Sequence, residues 1–117
     1  PQIKGKQRQR MMEASRRRMM QQLPQADVVI TNPTHYAVAI KYDPQVYDAP
    51  YVIAKGADYL AQKIRETAKE HHIEIVENKP LARMLYANVD VGSVVPPERY
   101  QAVAEVLAFV YHLQGRV

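Results

Sequence analysis

Cysteine is absent from the 117-residue chain. That excludes a disulfide framework and any thiolate nucleophile, and it is in keeping with a reducing compartment. Serine is nearly absent, with Ser15 and Ser93 alone. No Gly-x-Ser-x-Gly elbow occurs and no motif places a pair of carboxylates, so a turnover hydrolase finds no machinery here. Long apolar runs are missing too. The longest, Val106 to Tyr111, is six residues, against the roughly 20 that a membrane-spanning helix needs. The basic start is not followed by the apolar stretch of a secretory signal. Because the chain opens on Pro1 rather than Met, we expect a piece of a longer protein.

Negative charge is scarce at one end only. Residues 1–22 hold Lys4, Lys6, Arg8, Arg10, Arg16, Arg17 and Arg18 against Glu13, a net of +6, whereas residues 23–117 hold nine basic and eleven acidic side chains, a net of −2. The basicity belongs to the arm. Such an arm has the charge density for phosphate contacts, but residues 1–22 contain no aromatic for base stacking and no nucleic-acid motif. A basic segment facing an anionic membrane surface or a partner accounts for it at least as well. We read it as membrane-proximal, with a basic nucleic-acid-binding module as the rival.

The length suits one modest domain, and the chain divides into elements by period and punctuation. Residues 5–22 contain good helix formers and stop at Leu23-Pro24, but only Met12, Ser15 and Met19 share a face, so this helix is a connector rather than core. "ADVVIT" (26–31) reads as a strand. "HYAVAIKYD" (35–43) alternates, with Tyr36, Val38, Ile40 and Tyr42 on one face and Ala37, Ala39 and Lys41 on the other. The small alanine face invites a helix to approach closely. "YVIA" (51–54) is a shorter third strand, after which Gly56 opens a helix to about Glu70, with Ala57, Leu60, Ala61, Ile64 and Ala68 at helical spacing. "IEIVE" (73–77) is a strand, and Pro80 sits in the first turn of a helix over "LARMLYAN". Pro97 starts the last helix, with Val103, Val106, Leu107, Val110 and Leu113 as its buried stripe. Together these predict an α/β fold: a small mixed sheet of about four strands flanked by helices, with a linker helix over 1–23 and a globular domain over 24–117. His71-His72 has no further ligand at metal spacing and is read as a helix-terminal pair rather than a metal site.

Asn32-Pro33 is the remaining feature. An Asn-Pro pair between two strands is first of all a turn. Proline also restricts how this asparagine can react. The common decay of Asn needs the next residue's backbone N–H as nucleophile, and Pro33 has none. The other ring closure stays open: the Asn32 side-chain nitrogen attacks the Asn32 carbonyl carbon and expels the Pro33 nitrogen, leaving a C-terminal succinimide and a cut chain. In a loose peptide this is very slow. A fold accelerates it by fixing the attack geometry, polarising the carbonyl or straining the turn, and Thr34 and His35 are close enough to orient groups or move protons.

The full stretch "ADVVITNPTHYAVAIKYD" resembles the cytoplasmic domain of the FlhB/YscU family of type III secretion export-switch proteins, whose signature matches Asn32-Pro33-Thr34-His35. The likeness covers nearly the whole chain, through "PQIKGKQRQR", "KPLARMLYANVDVG" and "AVAEVLAFVYHL". It is closer to the flagellar branch, with an injectisome homologue as the alternative. The resemblance implies a missing transmembrane part, a place at the cytoplasmic face of the bacterial inner membrane, and residues 1–23 as the helix leaving it. It implies one self-cleavage between Asn32 and Pro33, without turnover, cofactor or metal, after which the two pieces stay associated. Asn32 would be nucleophile and carbonyl donor, Pro33 the leaving group, and Thr34 and His35 the shapers of the turn. The implied outcome is a switch of export from rod/hook to filament substrates. Implied partners are the export gate and other export-apparatus proteins, a hook- or needle-length ruler protein and exported substrates, with no nucleic acid.

Overall fold

The computed structural model describes residues 2–33 and 35–115, with side chains from residue 8 onward. Helix α1 (Gln2–Gln22) leads through a short 3-10 turn (Leu23–Gln25) into β1 (Val28–Asn32), β2 (Tyr36–Lys41), β3 (Tyr51–Ala57), α2 (Asp58–Glu70), β4 (Glu74–Glu77), α3 (Lys79–Asn88) and α4 (Tyr100–Leu113). The four strands form one mixed sheet in the order β3-β2-β1-β4. β1 pairs antiparallel with β2 from Val28↔Ile40 to Asn32↔Tyr36, and parallel with β4 from Val28↔Glu74 to Thr31↔Glu77. The α/β fold with a mixed four-stranded sheet is the one read from the sequence.

Period-two alternation sends side chains of the same strands to two separate cores. Val28, Ile30, Val38, Ile40 and Val52 meet Leu81, Leu85, Val103, Leu107 and Val110 of α3 and α4. Val29, Ala37, Ala39 and Ala54 meet Ala61, Ile64 and Ala68 of α2. The alanines of β2 thus let α2 lie close to the sheet, as expected. All five residues of β1 are buried, so this strand is covered on both faces and paired on both edges. The β2–β3 register slips between Ala39 and Ile40, whose partners are Ala54 and Val52. This bulge turns both Ile53 and Ala54 toward the α2 side. Among the described side chains of α1, those of the last turn join that core: Met19 and Met20 pack against it, Met19 Sδ accepts the Lys55 N–H at 3.4 Å, and Met11 and Met12 are exposed.

Several boundaries differ from the sequence reading. β3 runs on to Ala57, and α2 starts at Asp58 rather than Gly56. Gly56 and Ala57 are therefore strand residues. The glycine is there for close approach, because a Cβ on it would come within 2.6 Å of Leu60 Cγ and 2.9 Å of Leu60 Cβ. Tyr42 lies beyond the end of β2 and is exposed. Leu113, expected in the buried stripe of α4, is 53% exposed in the last helical turn, where α4 has run past Val110 and its core partners. His71 ends α2 and His72 follows with a left-handed φ of 58°, both exposed.

Gly56→Ala forces Leu60 and the first turn of α2 off the sheet. We expect a loss of about 1–3 kcal/mol, the scale of overpacking a filled contact. Urea denaturation measures it, and an unchanged midpoint would contradict the close approach.

Candidate functional site

β1 and β2 are joined by Asn32-Pro33-Thr34-His35. The His35 N–H donates to the Asn32 carbonyl oxygen at 3.0 Å, closing a tight turn with Pro33 at its second position, where a fixed φ near −65° is favourable. Thr34 lies outside the described residues. Asn32 is 7% exposed, and with Thr31 it makes up the buried polar side chains recorded among the described residues. His35 is exposed and Pro33 half-buried.

Two hydrogen bonds from later in the chain pin the turn at its ends. On the entry side, the Asn78 N–H donates to the Thr31 carbonyl at 2.9 Å. On the exit side, the Asp58 N–H donates to the His35 carbonyl, also at 2.9 Å. Both donors sit at helix starts. Asn78 is the N-cap of α3, its side-chain oxygen accepting the Leu81 N–H at 3.2 Å. Asp58 opens α2 with a φ of 51°, a left-handed conformation that few residues besides Gly, Asn and Asp adopt cheaply. The chain on either side of Asn32-Pro33 therefore has little freedom to move.

The turn opens onto a cavity of about 570 Å³ lined by Asn32, Pro33, His35, Glu77, Lys79, Pro80 and Arg83. The β4–α3 residues reach it because parallel pairing sets Glu77 beside Thr31. Behind the turn, the ring of Tyr36 stacks on Tyr86 at 4.5 Å between centroids. Lys55 Nζ lies 5.3 Å from the Tyr86 ring centroid and donates to the carbonyls of Tyr86 and Val89 at 2.9 and 3.0 Å. This Lys55 contact closes the C-terminal end of α3.

Chemically, the feature that bears on the Asn32-Pro33 peptide is the donor on the Asn32 carbonyl oxygen. The carbonyl oxygen already holds a backbone donor, and charge developing on it during attack would strengthen that hydrogen bond. Asn32, Pro33 and His35, singled out from the sequence, come together as one turn. Asp58, Asn78, Glu77, Lys79 and Arg83 were not foreseen. The Asn-Lys-Pro order at 78–80 carried a helix-cap signal, but nothing in it revealed that the cap would land beside residue 31. Among the described residues, no three His, Asp or Glu side chains cluster as metal ligands, and no helix is long and apolar enough to cross a membrane.

Residues 1–110 match the FlhB HrpN YscU SpaS Family. The chain is 56% identical over its whole length to the flagellar biosynthetic protein FlhB of Bacillus subtilis, of which it covers 32%. It is 50% identical over 97% of its length to the protein of that name from Salmonella typhimurium, covering 30%. It thus spans about a third of the curated relatives it matches. The crystal structure of the cytoplasmic domain of FlhB from Shewanella putrefaciens superposes with a TM-score of 0.80 at 50% identity, over 82% of this chain and 79% of that one. A mutated EscU C-terminal domain gives 0.76 at 28% identity, over 79% and 92%.

Asn78→Ala removes the cap of α3 beside the turn. We expect it to lower stability by about 0.5–2 kcal/mol, the usual range for losing such a cap, while the Asn78 backbone donor to Thr31 persists. Thermal denaturation of the Asn78→Ala protein reads the loss, and a wild-type melting temperature would contradict the capping role.

Proposed function

The chain belongs to the FlhB HrpN YscU SpaS family, and we propose that it is the cytoplasmic, self-cleaving part of a flagellar type III export component. It cuts itself once between Asn32 and Pro33 and so takes part in switching export from rod/hook to filament substrates. Residues 1–23 are the linker helix from a membrane-embedded part in the bacterial inner membrane, and residues 24–117 the globular domain. The export gate, a length-ruler protein and exported substrates are its partners, and the process needs no cofactor.

One observation carries the chemistry: the Asn32 carbonyl oxygen accepts the His35 N–H at 3.0 Å inside a doubly pinned turn whose Asn32 is buried. Asn32 Nδ2 attacks the Asn32 carbonyl carbon, and the negative charge gathering on its oxygen falls on that donor. A donor held in place for such a charge is worth on the order of 10²–10³ in rate. The C–N bond to Pro33 then breaks, and the Pro33 nitrogen leaves with a proton. Pro33, lacking an N–H, cannot divert Asn32 into deamidation. The His35 contribution that the geometry supports is its backbone donor. Thr34 shapes the turn between them. Because the nucleophile is consumed, the event happens once per chain and involves no turnover.

The sheet explains how cutting can leave a folded protein. The first piece holds β1, which keeps β2 on one edge and β4 on the other. The cut therefore redraws the surface around the turn and leaves the rest of the domain in place.

Intact mass under denaturing conditions tests this directly. We expect wild-type protein to yield pieces of 32 and 85 residues that co-migrate under native conditions, and Asn32→Ala to give one full-length chain. A wild-type chain still whole after prolonged incubation at neutral pH would overturn the reading.

A further inference from the structure

Cutting at Asn32 creates charge where none stood. The succinimide left on the first piece takes up one water, and either of its two C–N bonds can open. One opening gives the α-carboxylate with the side-chain amide restored, and the other gives a side-chain carboxylate with a terminal amide. Both produce a single new carboxylate on residue 32. The second piece begins with the Pro33 secondary amine, which is protonated at neutral pH.

We propose that Lys79 and Arg83 form a product-capture site that binds this newborn carboxylate and holds the cut end of β1 in place. The proposal rests on the cleavage reading above. Asn32 itself lines the cavity, together with Lys79 and Arg83 from the first turns of α3. The other charged or titratable groups on that wall are Glu77 and His35. Two fixed cations against one carboxylate make the wall net positive before the cut. Neither cation has anything to neutralise at Asn32 in the intact chain, because residue 32 is then uncharged. After the cut, Asn32 carries the complementary charge.

The anchoring of β1 keeps that carboxylate close. The Asn78 N–H holds the Thr31 carbonyl at 2.9 Å, and β1 is paired on both edges up to Thr31. The new end therefore emerges one residue beyond a fixed point, against the start of α3. The Pro33 ammonium meets the opposite field. Lys79 and Arg83 repel it while they attract the carboxylate, so the two ends separate and only the Asn32 end is retained. Arg83 is suited to the task because its guanidinium can engage both carboxylate oxygens at once.

The test compares a Lys79→Gln/Arg83→Gln double variant with wild type after cleavage has gone to completion, as read by denaturing mass. Release of the 32-residue piece is followed in intermediate urea by size exclusion. The same double substitution is placed in the uncut Asn32→Ala chain as a folding control. We expect release of the piece to speed up by roughly two- to fivefold, the scale of an exposed ion pair, with the urea midpoint of Asn32→Ala unmoved. Raising the salt to about 1 M should erase the wild-type advantage. Equal weakening of cut and uncut proteins would make the two cations merely structural and overturn the proposal, as would no effect on either. Absence of the two pieces overturns cleavage and capture together, whereas pieces whose retention ignores Lys79, Arg83 and salt overturn capture alone.

Discussion

The placement of β1 at the centre of the sheet is the constraint on which the rest depends. Its backbone is hydrogen-bonded to β2 on one edge and β4 on the other, and its side chains are buried on both faces. A strand in that position has no solvent alternative for its amides, so leaving the sheet would orphan polar groups and expose two cores at once. The connection to β2 is thus the least important of its attachments. A chain break there removes a covalent link and leaves the ladder bonds intact.

The same rigidity constrains the turn. A flexible Asn-Pro turn would sample many orientations of the side-chain amide relative to its own carbonyl. Here the residues before and after are tied to the starts of α3 and α2 through Asn78 and Asp58, and the carbonyl oxygen is held by His35. Burial of Asn32 lowers the local dielectric and raises the worth of that donor. The exit clamp is donated from the left-handed Asp58, one of the few residue types that adopt that conformation cheaply.

Much of this was legible in the sequence. Alternation in residues 35–43 and the alanine face predicted the helix that covers it, and the Asn-Pro pair identified both the turn and the one decay route left open. The family resemblance turned a corner into a candidate site. What could not be read was whatever depends on contacts between distant segments. Gly56 looked like a helix opener because glycine commonly punctuates; its actual role is to admit Leu60, a contact visible only once β3 and α2 are placed. Leu113 fits the stripe of α4 by spacing, yet the core ends a turn earlier. Lys79 and Arg83 carried no signal of their own in the sequence. Their position beside Asn32 follows from a parallel crossover, and a parallel crossover leaves no mark in local composition.

The two clamps also impose an order in time. Asn32 and Pro33 leave the ribosome well before Asp58, and Asp58 before Asn78, so the scissile turn exists in the nascent chain without the donors that fix its ends. Neither the Thr31 nor the His35 carbonyl can be held until β3 has been laid against β2 and β4 against β1. Completion of the sheet is therefore built into the geometry of the turn. A chain that stalls, or folds with β4 out of register, lacks one or both clamps on the turn. Under the proposed cleavage, a break at residue 32 would double as a record of correct assembly, written irreversibly into each molecule.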